Sequence, residues 1–368
     1  MGLCFFTAAA TFAFSATPAH AAPTSYYSYN DTILVVNDAS ATSTTIANYF
    51  ITEFTNDIRI PVQNFLISHG LASTTNYIIT TKGVPLTFNM TVCGGPTMSL
   101  DQGLALILGK YSNDIGTAGV ISNNYCNPTL YNPYFYNSYA NQGPFSSTKY
   151  GFYLVTRLTG YTIPDVEHMI DHSGNATTTT QGTFVLDSNP TKTGAYAYIN
   201  NSIINAAAPL QAAGFNVNLD QTTTYLTYQK NVLGYYSWGS NDDYATTTNS
   251  IPHNTYVNGA IGDTAVSSSG RTFTWPPIYG QSLIADWLAN GISGMAGYVS
   301  EPLTSGLSLP SILFPKYASG YTMADSFGMA DNYIGWKQVV VGDPKMAIVK
   351  HLDSSLTLAT PLTNSIAS

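Results

Sequence analysis

The sequence predicts an α/β fold of three layers, in which a mostly parallel sheet carries helices on both faces. Three observations support this. Apolar segments of strand length alternate with segments of helical period along the whole chain. Most of the apolar segments break into Gly, Ser, Asn or Asp, as strands of open α/β sheets do at their carboxyl ends. No charge run, low-complexity linker or internal repeat divides the 368 residues, which indicates one domain.

The composition narrows the class of protein. Hydrophobic residues make up 44% of the chain, enough for a sizeable core, but charged residues only 9%, against about 25% in an average soluble domain. A polar surface built from Ser, Thr, Asn, Gln and 27 Tyr is typical of an exported protein. The net charge of −8 with 12 Lys and Arg leaves no basic stripe, so we expect no nucleic-acid partner.

The amino terminus has the features of a secretory signal peptide. Residues 3–16 are apolar and are followed by Pro18 and by the small-residue site Ala19-His20-Ala21. We therefore expect residues 1–22 to be a signal peptide, residues 23–368 to form a single α/β domain, and the protein to be secreted or periplasmic. The run is too short to span a bilayer and no later apolar stretch is long enough, so no transmembrane segment is expected.

The first half of the chain contributes strands at residues 32–36, 77–80 and 151–155 and helices at 44–57, 60–70, 98–109 and 163–172. The strands are short apolar runs such as TILVV and YIIT, and the helices repeat apolar residues every three or four positions. Residues 111–150 are rich in Tyr, Asn, Gly, Pro and Ser. Because aromatic residues at this density tend to be buried, we expect an ordered insertion over one face of the sheet.

The second half contributes strands at residues 182–186, 215–219, 231–236, 292–299 and 338–341 and helices at 201–214, 281–289 and 325–336. The chain is organised around residues 231–243, NVLGYYSWGSNDD, an apolar strand that breaks into a polar turn. This pattern fits an ordinary strand and turn, and it also fits a functional loop at the end of a parallel strand.

The candidate site residues follow strands, and carboxyl ends of parallel strands can converge at one edge. The catalytic candidates are Lys82, Arg157, Ser237, Asn241, Asp242 and Glu301. The ligand-binding candidates are Asn37, Asp38, Trp238, Ser240, Arg271 and Ser300. Such a group could perform acid–base chemistry or bind a polar ligand, or it could be a buried network that holds loops. We expect Glu301 to be largely buried and bonded to a cation or to the loop at 237–242.

Cysteine and histidine residues add little chemistry. Cys93 and Cys126 remain after removal of the signal peptide, and the sequence leaves open whether they form a disulfide or two buried thiols. His168 and His172 have the spacing of a metal-binding pair, but their acidic neighbours favour a solvated helix face, so no metal site is predicted. Phosphate-cradling glycine motifs and the G-x-S-x-G elbow do not occur, and no cofactor is expected.

Seven ordered blocks resemble an uncharacterised family of exported bacterial proteins. The blocks are TKGVP (81–85), LVTRL (154–158), GYYSWGSND (234–242), RTF (271–273), QSLIADWLANGISGMAGYVSEP (281–302), ILFPKYASGYTMADSF (312–327) and VVVGDP (339–344). No reaction is known for this family, so the resemblance implies no activity.

A remoter resemblance is to the gingipain-type, caspase-like cysteine peptidases, and it implies a caspase/gingipain-like or flavodoxin-like sheet. Gly342-Asp343-Pro344 is similar to the turn that closes their catalytic domain. The position of their histidine loop would be residues 236–239, and that of their nucleophile would fall near Ser300 and Glu301, with neither a His nor a Cys. The resemblance therefore implies the fold without the Cys–His dyad.

Two functions follow from these observations. One is a hydrolase-like exported protein that uses Glu301 and its neighbours. The other is a non-catalytic extracellular protein that binds sugar or peptide, with the aromatic insertion as a stacking surface. Carboxylates with strongly perturbed pKa values gathered in a deep pocket would favour the first function, and a shallow aromatic groove with exposed Tyr and Trp would favour the second.

Overall fold

The computed structural model describes residues 3–7, 32–37, 58–90, 95–114, 130–136, 143–176, 182–243, 251–278 and 280–348. For residues 3–7, 32–37, 88–90, 95–97 and 112–114 it describes the backbone alone. The predicted helix at 44–57 and the residues Asp38, Cys93 and Cys126 lie outside what is described.

The strands are β1 Leu3–Thr7, β2 Thr32–Asn37, β3 Tyr77–Thr81, β4 Thr87–Met90, β5 Gly95–Ser99, β6 Leu154–Leu158, β7 Thr183–Asp187, β8 Asn216–Asp220, β9 Val232–Ser237, β10 Tyr256–Thr264, β11 Gly294–Tyr298 and β12 Gln338–Val341. The helices are α1 Ile60–Ser68, α2 Leu100–Ala105, α3 Ser147–Tyr150, α4 Ile163–Gly174, α5 Ala197–Asn205, α6 Ala207–Ala212, α7 Ile284–Ala289, α8 Pro310–Ala318 and α9 Met323–Ala330.

Ten of these strands form one sheet in the order β1-β2-β3-β6-β12-β11-β10-β9-β7-β8, and β4 and β5 form a separate hairpin. Helices cover both faces. One hydrophobic cluster joins the sheet to α1, α2, α5, α6, α8 and α9, and a second joins it to α4 and α7. The predicted three-layer α/β fold is confirmed.

The direction of the strands changes once inside the sheet. β12 pairs antiparallel with β11, and Tyr298 lies opposite Gln338. Strands β2, β3, β6 and β12 form a first parallel block, whereas β11, β10, β9, β7 and β8 form a second block that runs the opposite way. The expectation that all strands deliver their polar ends to one edge is therefore wrong. The carboxyl ends of the second block share an edge with the amino ends of the first.

Most predicted strands occur within about three residues of their predicted places, and β6 shows why the difference matters. It begins at Leu154 rather than at residue 151, so Arg157 lies inside the strand instead of in the loop after it. The helix predicted over 98–109 is the end of β5, the short α2 and a 3-10 turn. The predicted last helix ends at Ala330 rather than at residue 336.

Strand β10 is the main element that the sequence pattern does not reveal. Its sequence, YVNGAIGDT, contains two glycines and no alternation of apolar and polar residues. Gly259 has φ +78°, and the pairing with β9 shifts register between Tyr256 and Ile261. Both features describe a β-bulge, which interrupts the pattern by which strands are recognised.

Strand β1 falls within the predicted signal peptide and pairs antiparallel with β2 at the edge of the sheet. Cleavage after residue 22 would leave β2 as the edge strand. None of the helices in the described ranges combines the length and the apolar character that a membrane span requires.

Candidate functional site

A cavity of about 470 Å³ lies where β9 and β10 end, at the carboxyl ends of the second block. Its described lining consists of Lys192, Tyr196, Trp238, Asn241, Asp243, Ala265, Ser267, Gln281, Glu301, Leu303, Thr304 and Leu307. The volume falls in the range of about 300–1,000 Å³ that small-molecule sites occupy. The carboxyl edge of parallel strands is also where α/β sheets place their ligands.

The turn after β9 shapes one wall of this cavity. The Ser237 hydroxyl accepts hydrogen bonds from the Tyr235 hydroxyl at 2.9 Å and from the Gly239 backbone N–H at 3.0 Å. Gly239 has φ +50°, and a Cβ there would lie 2.8 Å from a methyl carbon of Val266. Only glycine fits this close turn. Ser237 is completely buried and holds the turn in place, so it is not the catalytic group we expected.

Amide side chains tie the two loops of the site together. Asn241 Nδ2 donates to the Ala265 carbonyl at 2.7 Å, and Gln281 Nε2 donates to Ser267 Oγ at 2.9 Å. The Ser282 backbone N–H donates to Ser240 Oγ at 2.9 Å. These bonds fix the cavity floor before any ligand arrives.

Arg271 supports this floor from behind. Its guanidinium donates to the carbonyls of Ser268 and Gln281, both at 3.0 Å, and to that of Ile278 at 3.2 Å. It does not line the cavity. Its place is therefore structural rather than ligand-binding.

The charged residues of the lining differ in how they are paired. Lys192 Nζ and Asp243 Oδ1 form an ion pair of 2.9 Å. Hydrogen bonds from Thr191 and Lys192 lower the pKa of Asp243. Glu301 faces them from the turn after β11 and forms no described ion pair through its carboxylate.

Glu301 is exposed, which contradicts the expectation that it is largely buried. Its carboxylate accepts a hydrogen bond from the Leu303 backbone N–H at 3.3 Å. The nearby Lys337 ammonium donates to the main-chain carbonyl of Glu301 instead of to its side chain. Glu301 is in contact with solvent although the next residue, Pro302, is buried, so the carboxylate needs no cation to compensate for burial.

Two further carboxyls lie buried beneath the strand ends. Asp242 accepts a hydrogen bond from Asn189 Nδ2 at 3.0 Å. Asp187, at the end of β7, accepts one from the Leu226 N–H at 2.9 Å, while its Oδ1 has no partner among the described residues. Burial raises the pKa of Asp187 to about 8, and nearby Asp242 and Asp220 add to the shift. Neither Asp187 nor Asp242 lines the cavity, and the sequence marked Asp187 only as the start of a turn.

Asp263 belongs to the strand that the sequence did not reveal. Burial raises its pKa to about 7, and its carboxyl accepts hydrogen bonds from the Tyr298 hydroxyl at 2.9 Å and the Thr264 N–H at 2.7 Å. Asp187 and Asp263 are thus separate core carboxyls rather than a pair that converges in the cavity.

Arg157 and Lys82 lie at the other edge of the sheet, away from the cavity. Arg157 makes a two-pronged ion pair with Asp101, at 2.6 and 3.0 Å, and donates to the carbonyls of Val84 and Pro85 at 2.6 and 2.9 Å. Because it is 1% exposed and these bonds engage its guanidinium, Arg157 is structural rather than catalytic.

Lys82 is also committed to the backbone. Its ammonium donates to the carbonyls of Gly160 at 2.6 Å and Phe273 at 2.9 Å, and burial lowers its pKa. Lys82 and Arg157 therefore do not meet Asn241 and Glu301, because the two pairs belong to blocks of opposite direction.

The remaining candidates differ in their relation to the cavity. Ser300 is half-buried, and its hydroxyl has no hydrogen-bond partner in the described part of the chain. Asn37 ends β2 in the first block. Trp238 does line the cavity, but it is 2% exposed and its Nε1 donates to Asn200 at 2.9 Å.

The described lining contains neither histidine nor cysteine. Ser267 is its one serine, and the hydroxyl bonds to the Gln281 amide rather than to a base. Strand β10 separates β9 from β11, so Ser300 and Glu301 lie two strands from Ser237. The strand beside β9 ends in Thr264 and Ala265. No described residue of the lining therefore forms the hydrogen-bonded nucleophile and base that covalent catalysis uses.

Comparison with known proteins adds little to this geometry. No family model matches the chain, and no curated protein matches it. A solved structure titled "Structure of Protease" matches with a TM-score of 0.38 at 10% identity, over 85% of this chain and 77% of that chain. The α/β assignment rests on the sheet described above.

Proposed function

We propose that this chain is a non-catalytic binding protein whose cavity accepts a peptide through a basic side chain. The observation that carries the proposal is Glu301, an exposed carboxylate on the cavity wall. The lining holds two carboxylates and one ammonium, and the ammonium of Lys192 is already paired with Asp243. A cation supplied by the ligand would pair with the remaining carboxylate, that of Glu301. Lys337 lies behind the wall, is 8% exposed and is bonded to a carbonyl, so it does not take that place.

The apolar part of the lining fits the stem of a Lys or Arg side chain. Leu303 and Leu307 border Glu301 in the cavity, and Leu303 is 38% exposed. Long basic side chains cover such surface with their methylene groups while the charged end reaches a polar partner.

A sugar fits the same cavity less well. Stacking on a sugar ring needs an open aromatic face, and Trp238 is 2% exposed behind Tyr196 and Lys192. Tyr196, which is 53% exposed, is the open aromatic ring of the described lining. A neutral sugar stacked on Tyr196 would leave the Glu301 carboxylate without a counter-charge, so the peptide is the better match.

Calorimetric titration with two pentapeptides tests the proposal. The peptides are Ala-Ala-Lys-Ala-Ala and Ala-Ala-Gln-Ala-Ala, blocked at both ends, and we expect the first to bind more tightly. Glu301→Gln should weaken its binding up to about fivefold at low salt, as for an exposed charge pair of about 1 kcal/mol. Equal binding of both peptides would refute the cationic preference.

Glu167→Gln is the matched control, since it makes the same chemical change on the exposed surface of α4. It should leave peptide binding unchanged. Mass spectra of the peptide after incubation separate binding from hydrolysis, because cleaved products would restore the hydrolase alternative on this scaffold.

We also propose that the protein is exported, on the strength of the apolar run at residues 3–16 and the Ala-His-Ala site. The mass of the mature protein from an expressing bacterial culture tests this. Loss of about 22 residues from the amino terminus is expected in the exported fraction, and retention of the uncleaved chain inside the cells would contradict the proposal.

A further inference from the structure

We infer that a second cavity, at the amino ends of β3 and β6, is a binding site for an oxyanion. This cavity has a volume of about 620 Å³. Its described lining includes Ser73, Gly109, Lys110, Thr148, Lys149 and Gly151. The first cavity shares none of these residues, so the inference is independent of the proposed peptide site.

The charge of this lining is opposite to that of the whole molecule. The chain carries 20 acidic and only 12 basic residues, yet the described lining contains Lys110 and Lys149 and no carboxylate. The adjoining sequence at residues 115–129 and 137–142 contains no Asp or Glu, and Asp114 is the nearest acid along the chain. Two ammonium groups on one cavity create a local positive potential that attracts anions.

Gly109 and Gly151 allow the two backbone segments that carry Lys110 and Lys149 to approach each other closely. A Cβ on Gly109 would lie 2.8 Å from the Gly151 carbonyl oxygen, and a Cβ on Gly151 would lie 2.7 Å from Lys110 Cβ. Both glycines have positive φ, +80° and +82°. The backbones near Lys110 and Lys149 therefore approach as closely as glycine alone permits, and both lysines line the same cavity.

No described carboxylate pairs with either ammonium group, and nearby hydroxyl groups can donate further hydrogen bonds. Lys110 lies over the Tyr111 ring at 5.3 Å and Lys149 over the Tyr150 ring at 4.8 Å, and neither lysine forms a described ion pair. The Ser73 and Thr148 side chains, which can also donate hydrogen bonds, line the same cavity. Lysine ammonium groups bind phosphate and carboxylate as point charges. The ligand class is therefore an oxyanion, borne as a phosphate or a carboxylate.

Calorimetry with inorganic pyrophosphate and with citrate, at constant ionic strength, tests the site and distinguishes the two kinds of oxyanion. Binding of either ion to the wild-type chain is expected. The double variant Lys110→Gln/Lys149→Gln should lower the association constant about tenfold, the combined loss of two exposed charge contacts. The charge-preserving variant Lys110→Arg/Lys149→Arg should retain binding.

Lys230→Gln is the matched control, an exposed lysine just before β9. It should bind both ions like the wild type. Thermal unfolding of each variant establishes that it is folded. Absence of binding to both ions, or equal binding in the double variant, would overturn the inference.

Discussion

Arg157 and Asp101 show how one buried pair can organise a segment without taking part in function. Both side chains are 1% exposed, and their two-pronged contact ties β6 to α2. The remaining guanidinium donors hold the chain at Val84 and Pro85. A charge in this position is tolerated because four of the five guanidinium N–H donors have acceptors and the counter-charge is adjacent, whereas an unpaired charge there would be costly.

We expect Asp101→Asn to destabilise the fold by about 3–5 kcal/mol, because it leaves a buried guanidinium without its counter-charge. Urea unfolding measures the loss. Asp243→Asn makes the same change in the exposed pair with Lys192 and should cost at most about 1 kcal/mol. Losses of similar size in both variants would contradict the structural assignment of Arg157.

Asp187 makes folding stability depend on pH. In the unfolded chain its carboxyl has the ordinary pKa of 3.8, whereas in the folded protein it holds a proton up to about pH 8. The folded state therefore binds more protons between these values, and stability is lost as pH rises through the window. Burial shifts the pKa values of Asp331, Asp263 and Asp325 in the same direction, to about 8, 7 and 6.

The variant Asp187→Asn keeps the shape of the side chain and removes the titratable group, so this residue no longer contributes to the difference in bound protons between the folded and unfolded states. We expect its free energy of unfolding to fall less steeply than that of the wild type between pH 5 and 8, by up to about 1.4 kcal/mol per pH unit. Urea unfolding at intervals of one pH unit measures the slope. Parallel curves for the two proteins would show that Asp187 is already ionised in the folded state.

At the scale of the element, the bulge in β10 decides where that strand ends. Gly259 turns the backbone at φ +78° and packs against Ala176, where a Cβ would approach the Ala176 Cβ to 2.7 Å. Beyond the bulge the register with β9 is regular again, and Ala265 and Ser267 follow the strand into the first cavity. The bulge therefore links a local backbone feature to the site.

Gly259→Ala is expected to destabilise the protein by about 1–3 kcal/mol, because it adds a steric clash to an unfavourable backbone conformation. Gly70→Ala is the control, since Gly70 also has positive φ, +66°, but a methyl group added there would meet no atom within 4 Å. Thermal unfolding of the two variants measures the loss of stability that each substitution causes. A smaller loss at Gly259 than at Gly70 would show that the packing against Ala176 is not tight.

At the scale of the whole molecule, the antiparallel contact of β11 and β12 joins the two blocks. These strands lie in the middle of the ten-stranded sheet, with helices on both faces, whereas β8 is an edge strand. The reversal also places both cavities at the same end of the strands, because the carboxyl ends of the second block lie beside the amino ends of the first block.

Rates of amide hydrogen exchange should differ between the central strands and the edge strand. We expect amides of β11 and β12 to exchange most slowly and those of β8 faster, because edge strands open without unfolding the core. Mass spectrometry of peptides after timed exchange measures the rates. Equal protection of β8 and β12 would mean that the sheet opens only as a single unit.

The sequence by itself determined the class of fold and the places of most strands and helices, because apolar runs and helical periodicity are local properties. It also marked the turn after β9, which does line a cavity, at Trp238 and Asn241. Tertiary structure alone decided the direction in which β12 pairs, and with it which polar strand ends meet. That choice depends on packing between residues far apart in the chain. For the same reason Lys82 donates to the carbonyls of Gly160 and Phe273 and Arg157 pairs with Asp101, away from the cavity, while Glu301 stands exposed after β11 in the second block.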